Sequence, residues 1–299
     1  MNEQRFYPRG GPVQTVDRLE TLREAVDSLR PRGPLALVPT MGALHEGHLT
    51  LVREAKARAA SVVVSIFVNP AQFGPNEDLD AYPRQLVEDA AMLEAEGVDL
   101  LWAPPVSEVY PDGFATTVSV SGVSEGLCGA SRPGHFDGVA TVVCKLFNQA
   151  RPDLAVFGEK DWQQLAVIRR MARDLDLTQP RADAIYGVPT VREADGLALS
   201  SRNRYLSSED RENARAIPET LRLAAEMVRD GNQPWGHVHA VAEDELLMSG
   251  FNSIDYFELR DADSLELLEA DNGNARLFVA ARIGGTRLID NMPVAPRKA

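Results

Sequence analysis

The sequence has little cysteine, little positive charge and no long apolar run. Its 2 cysteines are too few for a disulfide framework. Its 31 Lys and Arg residues are outnumbered by 44 Asp and Glu residues, which gives a formal net charge of −13. A surface with this charge disfavours binding to nucleic acid or to anionic lipid. Since no apolar run approaches the roughly 20 residues that span a bilayer, we expect neither nucleic acid nor a membrane as a partner.

The start of the chain carries no recognisable targeting signal. Residues 1–5 (MNEQR) lack the charged and then apolar order of a secretion signal, so we expect a cytoplasmic protein. The chain has 299 residues, 44% of them hydrophobic, which allows a large core and favours two domains. It holds no internal repeat and no low-complexity segment.

Apolar runs alternate with helical patterns up to about residue 190, which is typical of a parallel sheet covered by helices. The clearest strands, residues 35–38 and 62–68, are continuous and rich in β-branched residues, as doubly covered strands are. Leu49, Val52 and Ala55 between them follow a helical period. The sequence therefore predicts an α/β fold with a Rossmann-like, doubly wound parallel sheet.

Further elements follow along the same region. Residues 71–84 are rich in turn formers and form either an ordinary surface connection or a lid. The pattern predicts helices at residues 85–96 and 139–149, strands at 100–102 and 154–157, and an edge hairpin strand at 116–120.

The pattern changes after Ser207. Two long helical segments, broken at residues 217–218 and 230–234, precede strand-like runs at 253–259, 276–281 and 286–289. We therefore predict a Rossmann-like domain at residues 1–187 and a smaller C-terminal α+β domain at residues 188–299.

One segment, residues 35–48, indicates a nucleotide site. An apolar run ends there in a glycine-bearing turn, and His45 and His48 follow at the start of a helix. The first turn of a helix offers unpaired N–H groups and the positive end of its dipole to an anion. Two imidazoles spaced by three residues can add hydrogen bonds to phosphate, and Gly47 between them permits close approach. The pattern favours triphosphate binding.

Two alternatives for the histidines stay open on spacing alone. They could bind zinc, although the other histidines and the two cysteines, Cys128 and Cys144, lie far away at no recognised spacing. They could also be surface residues without a role.

Two further clusters can supply charge to a phosphate. Lys160 follows a predicted strand and a glycine, and Ser200, Ser201 and Arg202 form a polar cluster later in the chain. Each alone could be ordinary surface. Hydroxyls with a guanidinium nevertheless suit a phosphate clamp, and three junctions supplying histidine, lysine and arginine favour nucleotidyl transfer.

Six ordered blocks of the chain together form a family pattern. The blocks are residues 39–48 (PTMGALHEGH), 65–73 (SIFVNPAQF), 80–84 (DAYPR), 132–139 (RPGHFDGV), 157–164 (FGEKDWQQ) and 188–203 (VPTVREADGLALSSRN). In these blocks the chain resembles the pantoate–β-alanine ligase family of the nucleotidyltransferase superfamily, and the resemblance covers nearly the whole length.

The resemblance implies a reaction in two steps. The carboxylate of pantoate attacks the α-phosphorus of ATP, giving pantoyl adenylate and pyrophosphate, and the amine of β-alanine then displaces AMP. Adenylation makes sense because a free carboxylate is a poor acyl donor. The implied partners are pantoate, β-alanine and ATP with Mg²⁺, without a tightly bound organic cofactor, in a homodimer.

The resemblance also implies roles for the two domains and for single residues. It implies that residues 1–187 form a nucleotide- and pantoate-binding domain and that residues 188–299 close over the ATP site. His48 is the proton donor with His45 beside it on the triphosphate, and Lys160 neutralises charge near the α-phosphate. Gln72 and Gln164 bind pantoate, Gln72 also serves the β-alanine step, and Asp89 lies near the phosphate-bound metal. The implied ATP-binding residues are Met41, Gly42, Ala43, Leu44, His45, Glu46, Gly47, His48, Gly158, Glu159, Lys160, Asp161, Val191, Leu199, Ser200, Ser201 and Arg202, and the implied catalytic residues are His45, His48, Lys160, Ser201 and Arg202.

Two other classes of function remain to be distinguished. An adenylyltransferase of the same superfamily would pass AMP to another small acid or to a phosphate acceptor, and the histidine motif does not separate it from a ligase. A nucleotide-sensing protein that retains the fold would be favoured by missing phosphate-contacting groups, yet all of them are present in the sequence. The two glutamines and the Ser-Ser-Arg cluster favour the ligase.

Overall fold

The structure is a computed structural model that describes residues 13–75 and 77–294. Residues 1–5, on which the expectation of no secretion signal rests, lie outside the described residues. Among the described helices, none is both long and apolar enough to cross a membrane.

The described residues form nine strands and ten helices. Short 3₁₀ turns, among them Pro70–Gln72, Glu159–Asp161 and Ser201–Tyr205, lie between some of these elements. The strands are β1 (Gln14–Val16), β2 (Leu35–Thr40), β3 (Ser61–Ile66), β4 (Leu100–Trp102), β5 (Leu154–Gly158), β6 (Ile185–Val188), β7 (Ser253–Asp261), β8 (Ala275–Ile283) and β9 (Thr286–Pro293). The helices are α1 (Leu19–Leu29), α2 (Glu46–Arg58), α3 (Leu86–Ala95), α4 (Val106–Val109), α5 (Leu127–Ser131), α6 (His135–Ala150), α7 (Trp162–Asp174), α8 (Ser208–Asn213), α9 (Ala216–Asp230) and α10 (Trp235–Met248).

The chain divides into two compact units, and helices α6 and α7 are shared between them. The predicted domain boundary between residues 187 and 188 stays a prediction, since two earlier segments also belong to the second unit. Unit 1 comprises Met1–Val118, Asp137–Phe157 and Met171–Val188, and unit 2 comprises Ser119–Phe136, Gly158–Arg170 and Pro189–Ala299.

Unit 1 is built on a six-stranded parallel sheet with helices, in the order β1-β4-β3-β2-β5-β6. Residues 35–38 of β2 and 63–64 of β3 are fully buried, because helices cover both faces of the sheet. The strand order reverses at β2, which lies between β3 and β5. A crevice at the carboxyl ends of strands where the order reverses is the usual ligand position in such sheets. The predicted α/β fold is thus confirmed.

Unit 2 is built on a three-stranded antiparallel sheet, β7-β8-β9. Residues of α9 and α10 share one buried core with the inner face of this sheet, including Leu221, Leu246 and Phe257. Strand β8 is central and buried along most of its length. The predicted C-terminal helices followed by strands are present.

Two local predictions are wrong. Residues 116–120 form no strand; they are mostly exposed, and Val118 N–H donates to the Thr141 side chain (2.9 Å) instead of to a neighbouring strand. Ile217 and Pro218 do not interrupt a helix, because they lie in the first turn of α9, where an N–H has no partner within the helix and proline is tolerated. A separate short helix, α8, precedes this turn.

Helix α6 passes very close to the Pro70–Gln72 turn in unit 1. A Cβ added at Gly138 would lie 2.1 Å from the carbonyl oxygen of Ala71 and 2.7 Å from the backbone nitrogen of Gln72. These are backbone atoms, which cannot rotate away as a side chain can. Glycine at position 138 therefore allows the helix to pack this closely against the turn that carries Gln72.

We expect Gly138→Ala to destabilise the protein by about 1–3 kcal/mol or more, because the added methyl group forces backbone to move. Gly236→Ala is the matched control, since Gly236 is also helical and has open space at its Cβ position. Alanine there is expected to be neutral or to stabilise by up to about 1 kcal/mol. Urea unfolding measures both, and equal unfolding free energies would contradict the packing argument.

Candidate active site

The turn after β2 has a conformation that restricts its residues. Gly42 and Ala43 have φ angles of +82° and +51°, a region in which residues other than glycine are uncommon. A Cβ added at Gly42 would lie 2.9 Å from the Asp89 carboxylate and 3.0 Å from a methyl group of Ile66. Glycine at position 42 therefore adopts the positive φ angle without strain and leaves free the space that a side chain would occupy.

The carboxylate of Asp89 holds this turn from helix α3. One of its oxygens accepts the N–H of Ala43 (2.9 Å), and the other accepts the N–H of Leu44 (2.8 Å). The Gln85 side chain donates to the second oxygen as well (3.2 Å). Asp89 is 1% exposed, so these hydrogen bonds compensate for the water contacts that the carboxylate loses on burial. The geometry assigns Asp89 the task of fixing the turn.

Asp89 as placed here does not fit a direct magnesium ligand. Mg²⁺ requires oxygens in near-octahedral geometry and usually keeps several waters, whereas both Asp89 oxygens face backbone N–H groups inside the protein. The role of Asp89 toward a metal stays a prediction without geometric support.

His45 and His48 form a reciprocal cap at the start of helix α2. His45 is the N-cap residue, and its Nδ1 accepts the N–H of Gly47 (3.2 Å). His48 lies three positions further on, and its Nδ1 accepts the N–H of His45 (3.3 Å). The ring centroids are 4.1 Å apart. The spacing that the sequence shows is therefore the spacing of a capping box, with imidazoles in place of the usual hydroxyl and carboxylate.

The cap also defines which ring atoms can donate. Because each Nδ1 accepts a backbone N–H, a neutral ring carries its hydrogen on Nε2. Two Nε2–H donors then accompany the positive end of α2, an arrangement suited to an anion. Among the described residues, no group of three or more His, Cys, Asp and Glu side chains could hold a metal ion, so the zinc interpretation finds no further ligands.

Gln72 is held by a buried asparagine that the sequence analysis did not select. The amide nitrogen of Asn69 donates to Gln72 Oε1 (3.1 Å) and to the carbonyl of Gly138 (3.1 Å). The Tyr110 hydroxyl donates to Asn69 Oδ1 (2.8 Å), and burial raises the pKa of Tyr110 to about 12, so this donor stays protonated at neutral pH. The Gln72 amide nitrogen faces Met41 Sδ at 2.9 Å. Unit 1 thus brings together the predicted residues Met41 and Gln72.

In unit 2, Lys160 lies in the Glu159–Asp161 turn between β5 and α7. Its Nζ is 3.7 Å from the Asp161 carboxylate, and its side chain is 20% exposed. A pocket of unit 2 is lined by Lys160, Asp161 and Gln164, together with Arg132 and His135. The structure therefore brings the predicted lysine and the second predicted glutamine to one pocket.

The other predicted residues of unit 2 lie on a tight hairpin and the turn after it. Leu199 N–H donates to the carbonyl of Val191 (3.0 Å), so these two predicted residues are paired. Ser200 caps the Ser201–Tyr205 turn by accepting the N–H of Arg202 (3.3 Å). The Asn203 side chain fastens the turn to the carbonyl of Ala198 (3.1 Å).

Comparison with known proteins identifies the family of this chain. Residues 14–293 match the model of the family described as pantoate-beta-alanine ligase. The chain belongs to the pantoate-beta-alanine ligase family. It is similar to pantothenate synthetases of Novosphingobium aromaticivorans (66% identity, 95% of this chain and 100% of the relative) and Sphingopyxis alaskensis (59% identity, 94% and 100%).

Solved structures of the family share the fold. Pantothenate synthetase from Thermus thermophilus superposes with a TM-score of 0.88 at 47% identity, covering 95% of this chain and 100% of that one. Pantoate-beta-alanine ligase from Francisella tularensis, complexed with beta-gamma ATP and beta-alanine, gives a TM-score of 0.77 at 34% identity, covering 94% and 98%.

The structure divides the predicted site residues between the units, and their roles stay predictions. Met41 to His48, Gln72 and Asp89 belong to unit 1, whereas Gly158 to Asp161, Gln164 and the Val191 and Leu199–Arg202 group belong to unit 2. Sequence analysis missed Asn69, although asparagine before proline is a helix-start signal that could have found it. It also missed Asp290 and Asn291, because the Arg192 side chain and the Glu159 and Lys160 carbonyls that they bind lie 98, 132 and 131 residues away in sequence and leave no local signal.

We expect Asp89→Asn to lower the rate of adenylate formation by about 10-fold to 100-fold, because an amide can accept from only one side of the turn and the histidine cap then shifts. Glu88→Gln is the matched control, since it removes the same charge from the neighbouring, exposed position of α3. The rate is measured at saturating ATP and at several Mg²⁺ concentrations. A rate restored by excess Mg²⁺ would indicate a metal ligand and contradict the positioning role.

Proposed function

We propose that this protein condenses pantoate with β-alanine to give pantothenate, AMP and pyrophosphate, using ATP through a pantoyl-adenylate intermediate. The single observation that carries the proposal is the paired His45–His48 cap at the carboxyl end of the central strand, in a chain that the family model covers from residue 14 to residue 293. ATP and β-alanine accompany the Francisella tularensis relative, which supports the same substrates here.

In the first step, an oxygen of the pantoate carboxylate attacks the α-phosphorus, and the bond to pyrophosphate breaks. Negative charge moves toward the leaving pyrophosphate, so fixed donors around the phosphates lower the barrier. The Nε2–H groups of His45 and His48 supply two such donors, with His48 as proton donor. Lys160 neutralises charge near the α-phosphate, and Ser201 and Arg202 bind the departing phosphates.

In the second step, the neutral amine of β-alanine attacks the carbonyl carbon of the adenylate, and the bond to AMP breaks. The amine releases one proton to solvent as the amide forms, and AMP leaves as a phosphate anion. Gln72 and Gln164 hold the pantoyl group through its hydroxyls, because an amide both donates and accepts. The work of the protein in both steps is alignment and charge stabilisation.

The remaining predicted residues contribute to ATP binding in this proposal. Gly42 to Leu44, Glu46 and Gly47 supply backbone around the phosphates, and Gly158, Glu159, Asp161, Val191, Leu199 and Ser200 complete the nucleotide site. Mg²⁺ enters bound to the phosphates of ATP, which agrees with the lack of a fitting carboxylate at Asp89. A homodimer, taken from the resemblance, and a cytoplasmic location, expected from the sequence, belong to the same proposal.

Pyrophosphate exchange tests the reaction directly. We expect labelled pyrophosphate to enter ATP when pantoate is present and β-alanine is absent, because adenylate formation is reversible. Exchange without pantoate, or exchange only with a phosphate acceptor, would contradict the ligase and favour an adenylyltransferase.

We expect His48→Ala to lower the exchange rate by about 100-fold or more, since a positioned donor to a developing phosphate charge contributes at least that much. His237→Ala is the matched control, because His237 is an exposed histidine in the first turn of α10. Rapid-quench measurement of a single turnover separates chemistry from product release. A His48→Ala rate close to that of His237→Ala would end the proposed role.

A further inference from the structure

Strand β9 carries a buried asparagine that holds the Lys160 turn. The amide nitrogen of Asn291 donates to the carbonyl oxygens of Glu159 and Lys160, each at 2.9 Å. Asn291 is 3% exposed. An amide NH₂ group has two hydrogens, and both are used on this turn.

The neighbouring side chain fixes which end of the amide faces the turn. The Arg276 guanidinium on strand β8 donates to Asn291 Oδ1, so the oxygen is committed to the arginine and the nitrogen to the carbonyls. Arg276 in turn lies over the ring of Trp162, with its guanidinium carbon 3.6 Å from the ring centroid. Trp162 donates its indole N–H to the carbonyl of Ala262 (2.7 Å). Cation–π contact and hydrogen bonds therefore lock the orientation of Asn291.

The residue before Asn291 holds the second predicted phosphate-binding segment. Both carboxylate oxygens of Asp290, a fully buried side chain, accept from the Arg192 guanidinium at 2.6 and 3.0 Å. Arg192 also donates to the carbonyl of Gly196 (3.0 Å) at the tip of the hairpin. This hairpin connects Val191 with Leu199 and leads directly into Ser200 and the following turn. A bidentate arginine–carboxylate pair is a strong and geometrically specific contact.

We propose that Asp290 and Asn291 are positioning residues for the reaction. Asn291 fixes the Lys160 turn, and Asp290, its neighbour on strand β9, fixes the Val191–Arg202 segment. The inference rests on the proposed function, in which Lys160, Ser201 and Arg202 bind the phosphates of ATP. The charges of that site come from turns, which by themselves are mobile. A common anchor on the antiparallel sheet of unit 2 keeps the spacing of these charges constant while pyrophosphate departs.

The test compares Asn291→Ser with Asn252→Ser in the complete protein. Serine at position 291 removes both donors to the turn without adding charge, whereas Asn252 is exposed just before β7 in the same unit. We expect Asn291→Ser to lower the maximal rate of pantoate-dependent pyrophosphate exchange about 10-fold, with less than about a threefold change in KM for ATP. Rates equal to those of Asn252→Ser, per folded molecule, would overturn the proposal.

Combination with Lys160→Ala separates positioning from general stabilisation. If Asn291 acts through Lys160, Asn291→Ser lowers the rate by less than about twofold once the lysine is gone, because coupled residues are not additive. An equal loss in both backgrounds would overturn the positioning role.

Hydrogen exchange of peptides covering residues 159–161 gives a readout that does not depend on activity. We expect faster exchange in Asn291→Ser than in Asn252→Ser, and unchanged exchange would overturn the proposal. Should Asn291→Ser fail to fold, Asp290→Asn tests the same inference on peptides covering residues 192–200. If the wild-type protein shows no pantoate-dependent pyrophosphate exchange, that result contradicts only the proposed function. The hydrogen-exchange result on the turn would be unaffected.

Discussion

The predicted phosphate site of unit 1 depends on one buried carboxylate. Asp89 accepts the backbone N–H groups of Ala43 and Leu44, and these two bonds keep the chain in a left-handed turn directly after β2. The turn sets the direction in which α2 begins, and this direction determines where the cap residues His45 and His48 lie. Without the carboxylate, two buried N–H groups would lack partners, at a cost of about 1–3 kcal/mol each.

Unit 2 solves a similar problem with a different side chain. There the Lys160 turn offers carbonyl groups, which accept, so the holding group is the Asn291 amide, which donates. In both units a buried polar side chain far along the chain satisfies the backbone of a turn and so fixes the charged or imidazole groups that the turn carries. Such side chains contact no substrate in this account, yet the spacing of the reacting groups depends on them.

Features whose cause is local could be predicted from the sequence. The β-branched run of β2, the period of α2 and the spacing of His45 and His48 follow from neighbouring residues, and the structure confirms the elements. Residues 116–120 show the limit of such patterns, because alternation predicts a strand only if another strand lies alongside. Asp89 could be connected with the site only through resemblance, since its partners lie 45 and 46 residues earlier. The role of Asn291 could not be predicted from the sequence, since the two carbonyl groups to which it donates lie 131 and 132 residues away.

The proposed mechanism depends on attack of the pantoate carboxylate on the α-phosphorus of ATP. Pantoate labelled with ¹⁸O in both carboxylate oxygens tests it most directly, by mass spectrometry of the products after turnover with β-alanine and ATP. We expect each AMP to carry a single labelled oxygen, because the carbon–oxygen bond of the adenylate breaks when the amine attacks. AMP without label, or label in any phosphate product other than AMP, would contradict it.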